Sequence, residues 1–195
     1  FKLTNDISVA TMVGTNSHPF IGTFDGQGNV IDVNIVDNTS GVAPFCVVGT
    51  GSTIKNLKIQ GTVTSSGYHA SGLIGGVSQN EDYTTISIAG CEVAVQVKGT
   101  SYAGGFVGHS LNIHPVFVDC IFSGSIHGCY EVGCFVGWKE SASKPSFVNC
   151  LSIPASVENE NSYNFSHPGN GGSEEDATLV NCFYNRSFTT KGKSK

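Results

Sequence analysis

The sequence has little charge, a single arginine and no long apolar segment. Charged residues make up 13% of the 195 positions, the net charge is −5, and the one arginine is Arg186. Without a basic surface the chain is not suited to bind a phosphate backbone, so we expect no nucleic-acid partner. No run of about 18 apolar residues occurs, which predicts no membrane-spanning helix in this sequence.

Two further signals are missing. No stripe of apolar residues at i, i+3, i+4 and i+7 continues for three turns, which argues against a helical fold. The chain also lacks a signal-peptide pattern and opens at Phe1 in the middle of an alternating apolar–polar segment. We therefore expect a mature or excised fragment whose targeting segment is not visible.

Glycine is abundant, with 25 residues, and much of it brackets a recurring motif. Ala103 to Gly108 spells A-G-G-F-V-G, and related copies stand at Ser71 to Gly76, Val132 to Gly137 and, more loosely, Pro44 to Gly49. One large apolar residue occupies each copy, at Phe45, Leu73, Phe106 and Phe135, with spacings of 28, 33 and 29 residues. A period of about 30 residues predicts a stack of similar structural units.

A second column repeats at similar intervals. It consists of Leu57, Cys91, Cys120, Cys150 and Cys182, with spacings of 34, 29, 30 and 32 residues. The residues directly before them are Asn56, Gly90, Asp119, Asn149 and Asn181. Gly, Asn and Asp tolerate left-handed backbone angles best, so we predict a corner of each coil at this position, where stacked Asn amides hydrogen-bond from coil to coil.

Together these columns predict an all-β fold, a right-handed parallel β-helix (β-solenoid) of about five to six rungs with three short strands per coil. The handedness follows from the usual rule for parallel crossovers. We assign residues 1–53 to an N-terminal cap and first coil, 54–188 to the repeat coils, and 189–195 to a polar tail or linker. Residues 79–85, 110–116 and 139–146 are expected to be surface loops between coils.

The repeat resembles the GLUG-motif repeats of bacterial secreted and cell-surface proteins. The resemblance covers most of residues 1–185, with its clearest copies at Phe20 to Ile31, Ile54 to Gly76, Cys91 to Gly108 and Phe117 to Gly137. Weaker copies are Phe147 to Cys150 and Leu179 to Tyr184. Such repeats occur in large adhesin-like proteins and beside the catalytic domains of some surface proteases. The resemblance therefore implies a secreted or surface location and no catalytic residues in the repeat.

The sequence contains seven cysteines, and their positions predict two kinds of environment. The four in the column are expected to be buried free thiols that pack as small hydrophobic side chains. Their spacings match no zinc knuckle, and a long stack needs no disulfide framework. Cys129 and Cys134 lie five residues apart, and this pair is the one that we consider as reactive or bridged.

Two surfaces are candidates for binding. Tyr68, Tyr102, Tyr130 and Tyr163 form an approximate column that either stacks sugar rings or packs on its own neighbours. In the glycine-bracketed strand, Cys46, Ile74, Val107 and Val136 each follow a large apolar residue. Strict alternation would turn these four residues outward into an apolar face for self-association or a partner protein.

The sequence offers no clear catalytic site. Polysaccharide-active β-helix enzymes place several carboxylates on one face, whereas no carboxylate here recurs in three rungs. The six histidines form no metal-binding motif, and Glu174, Glu175 and Asp176 are most simply a solvated loop. We therefore predict no catalytic residue, no metal and no cofactor.

The function expected from the sequence is a non-enzymatic extracellular β-solenoid module of a bacterial surface or secreted protein, acting in adhesin-type binding or as a spacer. Its partners would be a glycan, a host or cell-surface protein, or a second copy. Two alternatives stay open, a polysaccharide-active lyase or hydrolase and a structural filament subunit.

Overall fold

A computed structural model describes residues 1–77, 84–111, 113–159, 162–169, 173 and 176–185. Those residues form 23 short strands, and all the strand pairs and isolated bridges among them are parallel. The strands stack into a β-solenoid of about five turns, which confirms the predicted all-β parallel architecture. Within the described residues no helix is long and apolar enough to cross a lipid bilayer.

The strands are numbered in chain order. The first twelve are β1 (Ile7–Val9), β2 (Thr23–Asp25), β3 (Val30–Asp37), β4 (Phe45–Val48), β5 (Thr53–Lys55), β6 (Lys58–Ser65), β7 (Ala70–Ser71), β8 (Ile74–Val77), β9 (Thr84–Ala89), β10 (Glu92–Lys98), β11 (Tyr102–Gly104) and β12 (Val107–Ser110). The others are β13 (Ile113–Val118), β14 (Ile121–Phe122), β15 (Ser125–His127), β16 (Glu131–Gly133), β17 (Val136–Lys139), β18 (Ser146–Val148), β19 (Leu151–Ser152), β20 (Ser156–Val157), β21 (Ser162–Tyr163), β22 (Thr178–Val180) and β23 (Phe183–Tyr184).

Each complete coil contributes to four sheets, one more than the three strands per coil that the sequence predicted, and in the coil that begins at β13 the sheet II part is divided into β14 and β15. Sheet I contains β2-β5-β9-β13-β18-β22, and sheet II contains nine strands, among them β1-β3-β6-β10. Sheet III is β7-β11-β16-β21, and sheet IV is β4-β8-β12-β17. The glycine motif contributes to two sheets because the chain bends within it: Ala103 and Gly104 belong to β11 of sheet III, whereas Val107 and Gly108 belong to β12 of sheet IV.

The corner between sheets I and II is the one that the sequence predicted. Its residues all have left-handed backbone angles, with φ of +52° at Asn56, +58° at Gly90, +54° at Asp119 and Asn149, and +52° at Asn181. Directly after this corner the cysteines turn inward, and each thiol donates to a backbone carbonyl, as Cys120 Sγ does to Val118 O at 3.3 Å. The column of buried cysteines is therefore confirmed, and all seven cysteines are free thiols.

Two stacks of phenylalanine fill the interior. In sheet I, Phe117 lies on Phe147 with ring centroids 4.9 Å apart and planes 5° from parallel. At the glycine motif, Phe106 lies on Phe135 at 4.7 Å and 10°, and Phe135 lies on Phe165 at 5.3 Å. The two stacks meet edge to face, so three successive coils share a continuous aromatic core.

The glycines of the motif allow two sheets to approach closely. A Cβ atom on Gly137 would lie 2.3 Å from the carbonyl carbon of Ala103, and one on Gly108 would lie 2.2 Å from the carbonyl oxygen of His69. Both contacts are with backbone, which cannot move aside. The motif therefore needs glycine for space between sheets III and IV.

The prediction of an outward apolar face at Cys46, Ile74, Val107 and Val136 is wrong. Ile74, Val107 and Val136 are buried to 1% exposure or less, and only Cys46 is partly exposed. The chain bends at Gly105 and Phe106, between β11 and β12, so alternation is interrupted and Phe106 and Val107 both point inward. The first copy is also shifted by one residue, because Phe45 pairs with Ile74 instead of Leu73.

The two ends of the stack differ from its middle. Residues 1–22 form an incomplete outer coil, which pairs through β1 with β3 and through bridges from Lys2 to Asp25 and from Val13 to Phe45. The segment predicted as a loop at 110–116 is wrong in part, since Ile113–Val118 is strand β13. The predicted tail at 189–195, most of the loop at 79–85, and Glu174 and Glu175 lie outside the described residues.

Candidate functional site

The predicted tyrosine column is only half formed. Tyr68 and Tyr102 stack, with ring centroids 6.2 Å apart and planes 25° from parallel. Tyr130 is 74% exposed and stands one position out of register, because Glu131 is the residue that pairs with Tyr102. Tyr163 is displaced the other way and pairs with Gly133. The prediction of a column of four tyrosines is therefore wrong.

A mixed strip of aromatic and histidine rings takes its place. We call this surface the aromatic strip, and its members are Tyr68, His69, Tyr102, His109, Trp138, Tyr163 and His167. It crosses four successive coils on sheets III and IV. Because each ring contacts the next, the strip is continuous from coil to coil, and its exposed end is at Tyr68.

Ring contacts join the strip from end to end. The His69 ring lies 5.2 Å from Tyr102 and 4.2 Å from His109, with planes 12° from parallel in the second pair. Trp138 lies 4.3 Å from Tyr102 and 5.7 Å from His167. Exposure decreases along the strip, from 58% at Tyr68 to 7% at Trp138 and 8% at His167. Tyr68 is therefore its most exposed ring.

The histidines of the strip are neutral at neutral pH. Burial, and secondly the positive charge that His109 would carry when protonated, lower the pKa of His69 to about 4. Burial lowers the pKa of His167 to about 4 as well. The pKa of His109 is also lowered by burial, although the carboxylate of Glu140 opposes the shift. The strip therefore carries no cationic imidazole to attract an acidic ligand.

Two carboxylates border the strip. Glu140 Oε1 accepts a hydrogen bond from Trp138 Nε1 at 2.9 Å and lies 3.4 Å from His109 Nε2, which fixes the indole in position. Glu131 Oε2 lies 3.7 Å from His167 Nε2 and accepts no hydrogen bond from the described residues. Since Gly169 N–H donates to His167 Nδ1 at 3.1 Å, the proton of the neutral ring is on Nε2, the nitrogen nearest Glu131.

An open groove adjoins the strip. Its volume is about 470 Å³, and its wall is built from Met12 and residues 14–16 side by side with residues 39–41. His69, His109 and Cys46 also line it. Burial and the charge of Asp37 raise the pKa of the Cys46 thiol, so this cysteine is not an activated nucleophile. The groove adds hydroxyl and amide groups beside the aromatic rings.

The other candidate residues have structural partners. Cys129 and Cys134 are both buried free thiols, and burial raises the pKa of Cys129 to about 12. Asp25 caps a turn by accepting from Gln27 N–H at 3.0 Å and lies 3.6 Å from Lys55 Nζ. Asp176 binds the buried Lys139 Nζ at 3.0 Å. Across the described ranges no group of three or more His, Cys, Asp or Glu side chains is arranged to hold a metal ion.

Sequence reasoning missed the three histidines and Trp138. A signal for them was present, because His109 and Trp138 both stand three positions after the large apolar residue of their motif, at Phe106 and Phe135. The structure pairs these two positions directly. His69 likewise lies opposite Tyr102 on the neighbouring coil, because the residues that follow these two, Ala70 and Ala103, pair with each other.

Comparison with protein-family models, with curated proteins and with solved structures gives no match to this chain. The resemblance to GLUG-motif repeats therefore stays a prediction from the residues quoted above.

Proposed function

We propose that the chain is a non-catalytic binding module that holds a neutral glycan on the aromatic strip. The observation that carries this proposal is the stack of Tyr68 on Tyr102, continued by Trp138 at 4.3 Å. Aromatic rings with one apolar face and a polar edge suit a sugar, whose C–H face packs on the ring while its hydroxyls reach polar groups at the rim.

The charges near the strip support a neutral ligand. Its histidines are uncharged at neutral pH, and its two bordering side chains, Glu131 and Glu140, are acidic groups that repel an acidic polysaccharide. The groove also contains Asn16 and Thr39, whose amide and hydroxyl groups suit hydrogen bonds to sugar hydroxyls.

In this proposal the module acts as an adhesin-type binding region of a bacterial secreted or cell-surface protein. The GLUG-like pattern supports that setting, and so does the long stack of coils, which separates a binding surface from its point of attachment. The strip supports binding more directly than a plain spacer role, because a spacer has no need of a stacked ring pair whose outer ring, Tyr68, is 58% exposed.

A glycan array with three variants tests the proposal. The wild type should bind neutral glycans, and Tyr102→Ala and Tyr68→Ala should each weaken binding by roughly tenfold or more, as expected when one stacking ring is lost. Tyr130→Ala is the matched control, because Tyr130 is exposed but has no ring contact in the described structure. Absence of glycan binding, or an equal effect of Tyr130→Ala, would contradict the proposal.

A second candidate is a polysaccharide-active enzyme, favoured by Glu131. Burial raises the pKa of this carboxyl, as a general acid requires, and Glu140 is the other carboxylate that borders the strip. Release of new sugar ends from an array-selected glycan, abolished by Glu131→Gln, would favour the enzyme. Binding without any cleavage favours the module.

A further inference from the structure

Three side chains on the outer surface of sheet II form a hydrogen-bonded chain across two neighbouring coils. Ser156 Oγ lies 3.1 Å from His127 Nε2, and His127 Nδ1 lies 2.8 Å from Glu158 Oε1. The register of β15 and β20 places Glu158 opposite His127, with Ser156 two residues earlier. Side chains two residues apart in a strand point to the same side, so all three lie on one surface. We call these three residues the sheet II triad.

The chemistry of the three groups fixes the direction of both hydrogen bonds. An ionised carboxylate only accepts, so the proton between His127 and Glu158 is carried by Nδ1 of the imidazole. In the neutral form of the ring, Nε2 is then an acceptor, and the Ser156 hydroxyl donates to it. The imidazole therefore has the tautomer and the position of a general base for the serine hydroxyl.

Glu158 is held in place by the neighbouring coil. Gly128 N–H donates to its Oε2 at 3.3 Å, while Oε1 contacts the imidazole. The hydrogen bond with His127 is the main cause that lowers the pKa of this carboxyl, which is therefore ionised at neutral pH. The next residue, Asn159, donates through Nδ2 to Cys129 O at 2.8 Å and anchors the segment. Glu158 thus serves as the positioning residue of the triad.

An open groove adjoins the triad along the corner between sheets II and III. Its volume is about 620 Å³, and three successive coils line it with residues 36–38, 64–66 and 98–100. The next coil continues this corner, because Lys98 pairs with His127 and Gly99 N–H donates to His127 O at 3.1 Å. The lining of the groove is therefore directly bonded to the residue that has the position of the base.

We propose that the sheet II triad hydrolyses a small carboxylic ester bound in this groove. Ser156 Oγ attacks the ester carbonyl carbon and gives its proton to His127 Nε2. The bond from the carbonyl carbon to the alkoxy oxygen then breaks, and the departing alcohol takes that proton. Water attacks the acyl-serine in the same way, and its proton passes through Nε2 to Ser156 Oγ as the acid leaves. In both steps the Glu158 carboxylate stabilises the imidazolium.

Two groups beside the triad suit the negative charge that develops on the carbonyl oxygen. Within the described residues β20 pairs with β15 alone. Ala155 N–H donates to Gly124 O toward this partner at 2.8 Å, and alternation along the strand turns the Ser156 N–H to the opposite edge. The N–H of the nucleophile is a donor that serine hydrolases use. Lys98, in register with His127, adds an exposed ammonium group.

The exposure of the triad indicates the class of substrate. The side chain of Glu158 is 62% exposed and that of His127 is 23% exposed. Electrostatic stabilisation is weaker in contact with water than in a dry site, so the substrate must be more reactive than an amide, as an ester is. The ligand proposed for the aromatic strip is bound without reaction, and this separate site on sheet II does not depend on it.

A fluorophosphonate probe tests the triad, because it phosphonylates an activated serine hydroxyl. The wild-type protein is incubated with the probe, digested and mapped by mass spectrometry, and the phosphonyl group should be found on Ser156. Ser17 is the internal control and should stay unlabelled. Its hydroxyl lies 3.0 Å from His18 Nδ1, but in the described structure no carboxylate contacts that ring. The mapping uses the wild type alone, so it does not require that a variant folds.

Hydrolysis of p-nitrophenyl acetate measures the rates. Ser156→Ala and His127→Gln should each lower kcat/KM at least about tenfold, and Ser17→Ala should leave it unchanged. Glu158→Gln should lower kcat and kcat/KM equally, by about fivefold, because only the imidazolium formed during the reaction loses its counter-charge. Absence of the label from Ser156, or equal rates for wild type and Ser156→Ala, would overturn the proposal.

Discussion

Asn149 donates a hydrogen bond through Nδ2 to Asp119 Oδ1 of the preceding coil at 3.0 Å, and both residues have φ of +54°. Asn181 continues the series by donating to Asn149 Oδ1 at 2.8 Å. Each of these residues thus has the left-handed backbone conformation of the corner, and its side chain bonds the equivalent residue of the neighbouring coil. This double use explains why Asn and Asp occupy most of the corner positions.

Asn149→Ala should lower the free energy of unfolding by about 2 kcal/mol, because alanine is strained in left-handed backbone and two exposed hydrogen bonds are lost. Asn149→Gly loses the same bonds without the strain and should be about 1 kcal/mol more stable than the alanine variant. Urea denaturation measures both. Equal stability of the two variants would show that the corner angle does not matter.

Substitution by alanine should change the free energy of unfolding very differently at two adjacent glycines of one motif. A Cβ on Gly75 would lie 1.7 Å from Gly41 O, whereas one on Gly76 would meet nothing within 4 Å. Gly75→Ala is therefore expected to cost about 3 kcal/mol or more, and Gly76→Ala to be neutral or slightly stabilising. Thermal unfolding of the pair distinguishes them, and similar melting temperatures would disprove the close approach.

The thiols should be protected in the folded chain. Burial raises the pKa of Cys129 to about 12 and also raises the pKa of Cys46 and Cys182. The hydrogen bond with Cys120 lowers the pKa of Cys91, but this thiol is 2% exposed and is protected by burial. With Ellman's reagent, Cys46 should react first because it alone is partly exposed, and all seven should react after unfolding. Fast reaction of two or more thiols in the native state would contradict this burial.

Stability should fall as the pH is lowered from about 6.5 to 4.5. Unfolded histidines bind protons near pH 6.5, but His69 and His167 bind them only near pH 4, so the unfolded state takes up more protons in this interval. Above pH 6.5 this contribution is fully present. Glu131 has the opposite sign, because its raised pKa favours the folded state at low pH.

Urea midpoints at pH 7 and pH 5 measure the effect, and His167→Asn should reduce the difference between them. The matched variant His18→Asn removes an exposed histidine that bonds only its own turn, at Ser17 and Thr15, and should leave the difference unchanged. A wild type that is more stable at pH 5 than at pH 7 would contradict the assigned burial.

The features that the sequence predicted correctly are those in which one type of residue recurs at a regular interval along the chain. The corner residues and the inward cysteines belong to this class, because backbone angle and small apolar volume restrict the choice at each position. The aromatic strip was not predictable in the same way, since His69, Tyr102 and Glu131 share a register position and differ in chemistry. The apolar face at Val107 failed because period-two alternation does not continue through the bend at Phe106.

The most direct test of the proposed function uses Trp138, the one tryptophan of the chain, whose ring lies 4.3 Å from that of Tyr102. A neutral glycan selected on the array is titrated while indole fluorescence and binding heat are both recorded. We predict a saturating fluorescence change with the same midpoint as the calorimetric curve, and its loss in Tyr102→Ala. Binding heat without a fluorescence change would place the ligand elsewhere and contradict the account.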